Sequence, residues 1–262
     1  GATPSLSRRR FLNLAGIGAG AVAAGGGSAL AAPAAGTPDP NIVPVPDWTK
    51  TLGAPVNENP YGKPSVFEKD VVRREVTWLT ASSQSSVSFT PLYALDSVIT
   101  PNGLCFVRHH GGQAEIDPDK YRLMIHGLVD KPLVFTLEDL KRMPGRVNRP
   151  YFLECAANSG MEWRGAQLNG CQFTHGMIHN LFYTGVPLKT LLDMAGVNPK
   201  GKWVLAEGAD AAVMTRSIPL EKAMNDCLVA FGMNGEALRP EQGYPVRLVV
   251  PGWEGNMWVK WL

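Results

Sequence analysis

The stretch Tyr151-Phe152-Leu153-Glu154-Cys155-Ala156-Ala157-Asn158-Ser159-Gly160-Met161-Glu162-Trp163 decides how the rest of the sequence is interpreted. Residues 151–153 are apolar and follow Pro150, which predicts a short strand that starts there. Cys155 stands where this strand gives way to a small, polar loop. A thiol at a strand end can be presented to a cavity, where its thiolate can bind a soft metal. The alternative is a buried free cysteine, the more common fate of an isolated cysteine.

The first residues predict an export signal. Residues 7–12 form a twin-arginine signature, and a weakly apolar, glycine-rich run follows at 14–30. Small residues at 29–31 match a cleavage pattern, so we assign residues 1–31 to a removed signal peptide. A transmembrane anchor is the alternative, but the run is short and glycine-rich for a membrane span. We therefore expect a periplasmic protein that is exported folded, as is usual for proteins with a complex cofactor.

Composition excludes two classes of partner. Removal of residues 1–31 takes away three arginines and lowers the formal net charge from +2 to −1. No basic run follows Arg10, so neither nucleic acid nor a membrane surface is expected as a partner. About 230 of the 262 residues remain, which is enough for one large domain. The spacing of the four cysteines resembles no disulfide framework: Cys105, Cys155, Cys171 and Cys227.

Strands and short helices follow one another without regular βαβ alternation, which predicts an α+β fold with a mixed β-sheet. Residues 32–103 begin with a proline-rich stretch and are expected to form an arm that leads into the domain. The domain is expected at 104–262. A turn or short helix is favoured at 73–75, and a loop at 89–101. Strands are predicted at 104–107, 121–127, 133–135, 203–207, 212–216, 228–231, 246–250 and 258–261, and helices at 137–143, 187–195 and 219–225.

Two histidine-containing segments are candidate sites. Arg108-His109-His110 follows a predicted strand and precedes two glycines, which suits an anion site; a solvated loop with chance histidines is the alternative. His175 and His179 are spaced as zinc ligands on a helix would be. Gly176 weakens such a helix and no carboxylate ligand is obvious nearby, so polar residues lining a cavity are the favoured interpretation.

Residues 104–262 resemble the molybdopterin-binding domain of the sulfite oxidase family, because eight motifs of that domain occur here in the same order along the chain. The amino-acid sequence at 155–167 and 251–256 is most similar to one branch of that family, the molybdenum subunits of bacterial sulfane dehydrogenases, which act in thiosulfate oxidation. The eight motifs are at 106–110, 154–158, 183–188, 207–210, 217–219, 233–235, 243–247 and 259–262.

The resemblance implies a molybdenum–molybdopterin cofactor with Cys155 as the one protein ligand to the metal. It implies catalytic roles for Cys155, Arg108 and Tyr183, with Tyr183 beside the metal. Arg108, Arg247 and Lys260 would hold the anionic phosphate and the pterin, because cationic donors match those groups. His110 and Asp210 would hydrogen-bond the pterin. The residues implied to bind the cofactor are Phe106, Arg108, His109, His110, Cys155, Asp210, Arg247, Trp258 and Lys260.

Four positions depart from the family's sulfite oxidases, one of them Ala157, where the usual Cys-Ala-Gly-Asn reads Cys-Ala-Ala-Asn. Gly160 replaces an arginine that helps to bind sulfite, Phe231 replaces an active-site tyrosine, and Gln242 replaces a phosphate-contacting histidine. The loss of a cation and a phenol makes the site less suited to a small free dianion. We therefore expect a larger substrate, such as a sulfur chain carried on another protein.

The expected function is periplasmic oxidation of sulfane sulfur on a carrier protein. The sequence has no Cys-x-x-Cys-His heme motif, so a separate c-type cytochrome is expected to accept the electrons. The resemblance implies a homodimer formed through a C-terminal domain, and we expect this sequence to be truncated before that domain. The alternatives are a sulfite dehydrogenase of the same fold that acts on free sulfite, and a non-catalytic or zinc-binding exported protein.

Overall fold

The structure, a computed structural model, describes residues 45–76, 78 and 81–262. The predicted signal at 1–31 and the first part of the predicted arm therefore lie outside the described residues. The chain divides into two compact units, Gly1–Gly62 and Lys63–Leu262. The described part of the first unit contains two 3-10 turns without buried residues, Asp47–Thr49 and Val56–Glu58. Among the described residues, no helix has the length and apolar character that a membrane crossing requires.

The second unit combines short helices with several small sheets, so the predicted α+β class is confirmed. One detail differs from the expected mixed sheet: each pairing between described strands is antiparallel, a pattern that needs no crossover helix. The described strands are β1 (Arg74–Glu75), β2 (Val87–Phe89), β3 (Val107–Arg108), β4 (Leu123–Ile125), β5 (Leu133–Phe135), β6 (Val147–Glu154), β7 (Ile178–Pro187), β8 (Trp203–Glu207), β9 (Thr215–Pro219), β10 (Leu228–Met233), β11 (Glu236–Ala237) and β12 (Arg247–Val249). The helices are α1 (Leu137–Arg142), α2 (Cys171–His175), α3 (Leu188–Ala195) and α4 (Leu220–Asn225).

The core is built around the largest sheet, whose strands follow the order β11-β10-β7-β6 with β12 also paired to β10. All six residues of β10 are buried. Its neighbour β7 is paired along its length with β6, from Val147 opposite Gly185 to Glu154 opposite Ile178. This register carries β6 to the position at which Cys155 leaves the sheet.

β6 is longer than the short strand that the sequence predicts. It runs through Pro150, which lies opposite Phe182 in the ladder. Proline has no N–H to donate, and such a residue is tolerated in a strand at the edge of a sheet. β6 is at the edge of this sheet, so Pro150 does not end it.

Helix termini agree with the local sequence signals. α1 starts with a capping box, in which the Thr136 side chain accepts from the Asp139 N–H and the Asp139 carboxylate accepts from the Thr136 N–H. α3 ends at Gly196, whose φ of 71° is left-handed and whose N–H bonds carbonyls of the last turn. Both ends are where the sequence places them.

Several predicted elements are wrong in type or position. Residues 74–75 form strand β1 instead of a turn or helix, and of the strand predicted at 104–107 only Val107 is in a strand, as the first residue of β3. The strand predicted at 212–216 begins three residues later, as β9. These strands are two to five residues long, which is too short for local periodicity to carry much information about them.

The strand predicted at 258–261 is absent from the described structure. Gly255–Met257 forms a 3-10 turn, and the chain then runs irregularly beside β12. The Leu248 N–H donates to the Val259 carbonyl, and the Leu262 N–H donates to the Val246 carbonyl. The segment is nevertheless mostly buried, which explains its strand-like apolar composition. All four cysteines are free.

Candidate functional site

A cavity of about 290 Å³ lies where the ends of β3 and β6, the loop after β8, the start of β12 and the chain after β12 come together. No single element forms it, so it depends on the whole second unit. Its wall includes all the residues that the family resemblance assigns to cofactor binding: Phe106, Arg108, His109, His110, Cys155, Asp210, Arg247, Trp258 and Lys260.

The backbone holds Cys155 firmly at the end of β6. Its N–H donates to the Met177 carbonyl at 2.9 Å, and its carbonyl accepts from the Asn158 N–H at 2.9 Å. The Asn158 side chain in turn accepts from the Met177 N–H at 3.0 Å. Gly255 packs closely against this corner, because a Cβ there would lie 3.0 Å from the Glu154 carbonyl oxygen. The thiol is therefore presented on a rigid turn.

The Cys155 thiol is protonated unless a metal displaces the proton. Burial raises the pKa of Cys155, and this effect outweighs the backbone hydrogen bond of Ala157 and the charge of Arg108, which lower it. A bound metal favours the thiolate, so metal binding here releases a proton.

Arg247 is the most deeply buried cation of the cavity, with 2% of its surface exposed. Nη1 donates to the Gln242 main-chain carbonyl and to its side-chain oxygen, and Nη2 donates to the Trp258 carbonyl at 3.1 Å. Nε has no partner among the described residues. A guanidinium has five N–H donors, so two remain for a ligand, one on Nε and one on Nη2. Burial also lowers the pKa of Arg247, a sign that its charge is poorly compensated.

Arg108 and Lys260 add two further cations to the wall. The hydrogen bonds of Arg108 within the described residues all use Nη1, including one to the Ser86 carbonyl at 3.3 Å. None of Arg108, Arg247 and Lys260 forms a salt bridge with a described carboxylate. Burial lowers the pKa of Lys260 to about 7, with the charge of Arg247 as the next cause. An anion in the cavity would compensate these charges.

The contact with phosphate and pterin that the resemblance implies for Lys260 stays a prediction, because its ammonium group already has three partners within the protein. Nζ donates to the carbonyls of Arg108 and Glu241, each at 3.1 Å, and contacts His109 Nδ1 at 3.0 Å. An ammonium group has three donors, and these three acceptors use them all. Lys260 therefore contributes charge and joins two loops of the wall without a free donor.

The cavity fits the molybdopterin that the resemblance implies. Three buried polar atoms of its wall lack partners among the described residues: Arg247 Nε, Asp210 Oδ1 and His179 Nδ1. Unpaired buried polar atoms are rare in folded proteins, and a bound group that pairs with them removes the cost. A phosphate accepts from guanidinium groups, and a pterin carries both donors and acceptors. The donor set thus suits an anionic heterocycle next to a thiolate-bound metal.

Zinc binding by His175 and His179 is not supported. His175 ends α2, with its Nε2 3.6 Å from a Glu162 carboxylate oxygen, whereas His179 lies in β7 with 2% of its surface exposed. The described residues contain no group of three or more histidine, cysteine or carboxylate side chains that could hold a metal ion. The favoured interpretation is confirmed for His179, which lines the cavity.

Tyr183 does not line the cavity, contrary to the predicted position beside the metal. It is fully buried behind the wall, in contact with Trp258 at 5.7 Å between ring centroids. Its hydroxyl lies 3.1 Å from His179 Nε2. Because Tyr183 reaches the site only through these neighbours, the geometry makes it a positioning residue rather than a catalytic one.

Gly160 and Phe231 are also absent from the cavity wall. Phe231 is buried within β10, and a Cβ on Gly160 would have no atom within 4 Å. Gln242 does line the wall, but its amide donates to the Phe106 carbonyl and accepts from Arg247. Of the four departures from the family, Ala157 and Gln242 line the cavity, and Gln242 supports Arg247 there.

Sequence reasoning missed several residues of the wall. They come from segments whose sequence has no distinctive chemistry, and only the fold brings them to the cavity. His179 and Gln242 were singled out from the sequence. Gly255, Asn256, Val259 and Trp261 lie within the quoted motifs but were given no role, and Met214 and Glu241 lie outside every motif.

Comparisons with known proteins identify the family of this domain. A family model described as "Oxidoreductase molybdopterin binding domain" matches residues 110–262. Nitrate reductase [NADH] of Volvox carteri is 35% identical over 181 residues, and nitrate reductase [NADPH] of Phytophthora infestans is 35% identical over 193 residues. These matches cover 63% and 66% of this chain but only 20% of each relative.

A solved structure is more similar. The sulfane dehydrogenase SoxCD from Paracoccus pantotrophus is 60% identical with a TM-score of 0.81, over 86% of this chain and 58% of that chain. Because the family model spans more than half of the sequence, the chain belongs to the oxidoreductase molybdopterin-binding domain family.

Proposed function

We propose that this molybdopterin oxidoreductase oxidises sulfane sulfur bound to a carrier protein during thiosulfate oxidation in the periplasm, and passes the electrons to a c-type cytochrome. The observation that carries the proposal is the 60% identity to a protein described as a sulfane dehydrogenase, over 86% of this chain. The likeness to nitrate reductases is weaker, at 35% identity. Export of the protein to the periplasm is supported by the twin-arginine signature at residues 7–12. We also propose that this subunit forms the homodimer that the family resemblance implies.

The residues of the cavity have separate tasks in this function. Cys155 would ligate the molybdenum as a thiolate, while Arg108 and the free donors of Arg247 would hold the phosphate. Asp210 and His179 would pair with the pterin through their unpartnered atoms. The bound group would supply a metal that can accept two electrons from sulfur. The protein's contribution is to fix that group and to shield it, since most of the wall is buried.

The carrier-bound substrate is supported by the segment that follows Cys155 in the chain. The chain that leaves Cys155 carries two large exposed apolar side chains, with Trp163 at 88% exposure and Leu168 fully exposed. Exposed apolar side chains in a loop beside a site suit contact with another protein. A free anion needs no such surface.

The test compares substrates on the full-length protein loaded with its cofactor. Reduction of a c-type cytochrome would be followed with a sulfane-loaded carrier protein or with free sulfite as the electron donor, and oxidation of the reduced cytochrome would be followed separately with nitrate as the acceptor. We expect turnover with the loaded carrier and little with either free anion. Efficient oxidation of free sulfite, with none of carrier-bound sulfur, would replace the proposal by the sulfite dehydrogenase alternative.

A matched pair of variants would test the docking surface. Trp163→Ser should raise KM for the loaded carrier and leave cofactor content unchanged, because Trp163 does not line the cavity. Trp203→Ser is the control, since Trp203 is also exposed, at 64%, but lies in β8. Equal effects of the two substitutions would show that Trp163 has no special role.

A further inference from the structure

We propose that Lys260 is a positioning residue that fixes His109 in the Nε2–H tautomer, so that His109 presents a donor to the cofactor. The tautomer itself is a property of this chain, and only its use toward the cofactor rests on the proposed function. Lys260 then acts on the cofactor indirectly, through His109, and makes no direct contact with a phosphate.

The contacts of Lys260 leave the ammonium group one arrangement. Two of its donors go to the main-chain carbonyls of Arg108 and Glu241, and the third faces His109 Nδ1 at 3.0 Å. An ammonium group cannot accept a hydrogen bond. While Lys260 carries its proton, Nδ1 must therefore be the acceptor, without a proton of its own.

The proton of the neutral imidazole is then on Nε2. A neutral histidine carries one proton, and the nitrogen that bears it is set by the hydrogen bond of the other. Burial and the charge of Lys260 lower the pKa of His109 to about 3, so the ring is neutral at ordinary pH. No described residue accepts a hydrogen bond from His109 Nε2, and His109 lines the cavity.

Trp261 holds both side chains in this arrangement. Its ring stacks on His109 with centroids 5.8 Å apart, and Lys260 Nζ lies 4.5 Å from the centroid of the same ring. The indole N–H donates to the Pro240 carbonyl at 3.1 Å, which fixes the ring in turn. The His109 backbone is tied by its N–H to the Ser86 carbonyl at 2.9 Å. The imidazole therefore has little freedom to rotate away from Lys260.

The ligand that this donor suits is a hydrogen-bond acceptor, such as a phosphate oxygen or a carbonyl oxygen of a pterin. In the opposite tautomer Nε2 would be an acceptor and would repel such an oxygen. Lys260, which does not contact the ligand in this scheme, thus decides whether His109 Nε2 donates a hydrogen bond to the ligand or accepts one from it. The same logic applies where an outer residue orients a histidine that binds a metal.

The experiment reads the tautomer directly. Long-range ¹H–¹⁵N NMR of the cofactor-free full-length protein, labelled at histidine, distinguishes protonated from bare ring nitrogens. A pH of about 6 keeps Lys260 charged and His109 neutral. The His109 signals are assigned by their loss in His109→Gln.

We expect the Nε2–H tautomer alone in the wild-type protein and a mixture of tautomers in Lys260→Met. Lys131→Met, at an exposed lysine, should leave the spectrum unchanged. The Nδ1–H tautomer in the wild type, or an unchanged single tautomer in Lys260→Met, would overturn the inference. If Lys260→Met fails to fold, the wild-type spectrum still decides between the two tautomers.

A second readout separates this inference from the proposed function. Molybdopterin content of Lys260→Met, measured on protein from a cofactor-producing host, should fall relative to the wild type. A protein with the expected tautomer that retains no molybdopterin would refute the proposed function alone. A protein with full cofactor and His109 in the Nδ1–H form would refute the inference alone.

Discussion

Two cavities of this molecule differ more in chemistry than in size. The cavity at Cys155 has a volume of about 290 Å³, and a second cavity on the outer side of the large sheet has about 390 Å³. The second cavity is lined by uncharged residues, among them Ile99, Asn148, Phe182 and Asn234. The first contains three cations, a thiol and three buried polar atoms without partners.

The difference lies in how completely the protein satisfies its own polar groups. In the second cavity Asn234 donates to Thr100 and Asn102 and accepts from the Phe182 N–H, so its amide is used within the fold. In the first, Arg247 keeps two donors that nothing in the described protein uses. Unsatisfied buried charge is costly, and it persists where a ligand completes it. The second cavity has the larger volume, so a choice of the functional site by volume alone would have been the wrong one.

The largest expected effect is that of Cys155→Ser. A hydroxyl is a harder and far less acidic ligand than a thiol, so molybdenum retention should fall and turnover should be abolished. The loss should exceed the roughly 10- to 100-fold effects of residues that only surround metal ligands. Metal analysis and steady-state assays would measure it.

Cys171→Ser is the matched control, because Cys171 is exposed and does not line the cavity. Thermal unfolding of both variants should resemble that of the wild type. Full activity with stoichiometric molybdenum in Cys155→Ser would show that Cys155 is not a ligand of the metal.

Arg247→Met should come next. It removes two charge-assisted donors from the ligand, and each hydrogen bond to a charged group is worth about 1.5–3 kcal/mol. Cofactor affinity should therefore fall by at least roughly 10-fold, while turnover per bound molybdenum changes less. Arg149→Met, at an exposed arginine of β6, is the control. Unchanged cofactor content in Arg247→Met would mean that Arg247 supports only the fold.

A smaller effect concerns pH in the cofactor-free protein. Lys260 has a folded pKa of about 7, below the ordinary lysine value of 10.5, so the unfolded state binds the extra proton between these pH values. The free energy of unfolding should therefore rise with pH from about 7 to about 10.5. The groups that shift this pKa besides burial are Arg247, Asp210, Glu241 and Arg108.

Urea unfolding at several pH values would measure this slope, and Lys260→Met should flatten it. Bound cofactor should flatten it as well, because an anion favours the charged lysine in the folded state. A slope that is the same in the wild type and in Lys260→Met would show that Lys260 is not the source.

The smallest effect is expected in the second cavity. Phe182→Ala opens that cavity further but removes no charge and no ligand donor, and Phe182 is 37% exposed. Cofactor content and turnover should stay within about twofold of the wild type, in line with other surface substitutions. A loss of cofactor comparable to that of Arg247→Met would abolish the distinction between the two cavities.

The sequence predicts the fold class and the wall of the site better than the details of either. Local signals placed α1 and α3, because a capping box at Thr136 and a left-handed glycine at 196 are properties of a few adjacent residues. β7 was missed as a strand, and β1 to β3 were misread, since their pairing depends on distant segments. Their stability comes from packing, which local periodicity does not encode.

Within the site, residue types were predictable and their roles were not. Motifs identified Lys260 and Tyr183, but the hydrogen bonds of Lys260 and the burial of Tyr183 are consequences of tertiary structure. Gly160 and Phe231 were expected to determine which substrate the site accepts, yet neither lines the cavity. A motif specifies which residues are close to a site; only the fold specifies which of their atoms remain free.

The most direct test of the central claim is metal and pterin analysis of the wild-type protein purified from a host that makes the cofactor. We expect molybdenum and pterin in equimolar amounts with the chain, and we expect both to be lost together in Arg247→Met. Zinc in place of molybdenum, or a folded protein without pterin, would contradict the assignment of the cavity at Cys155.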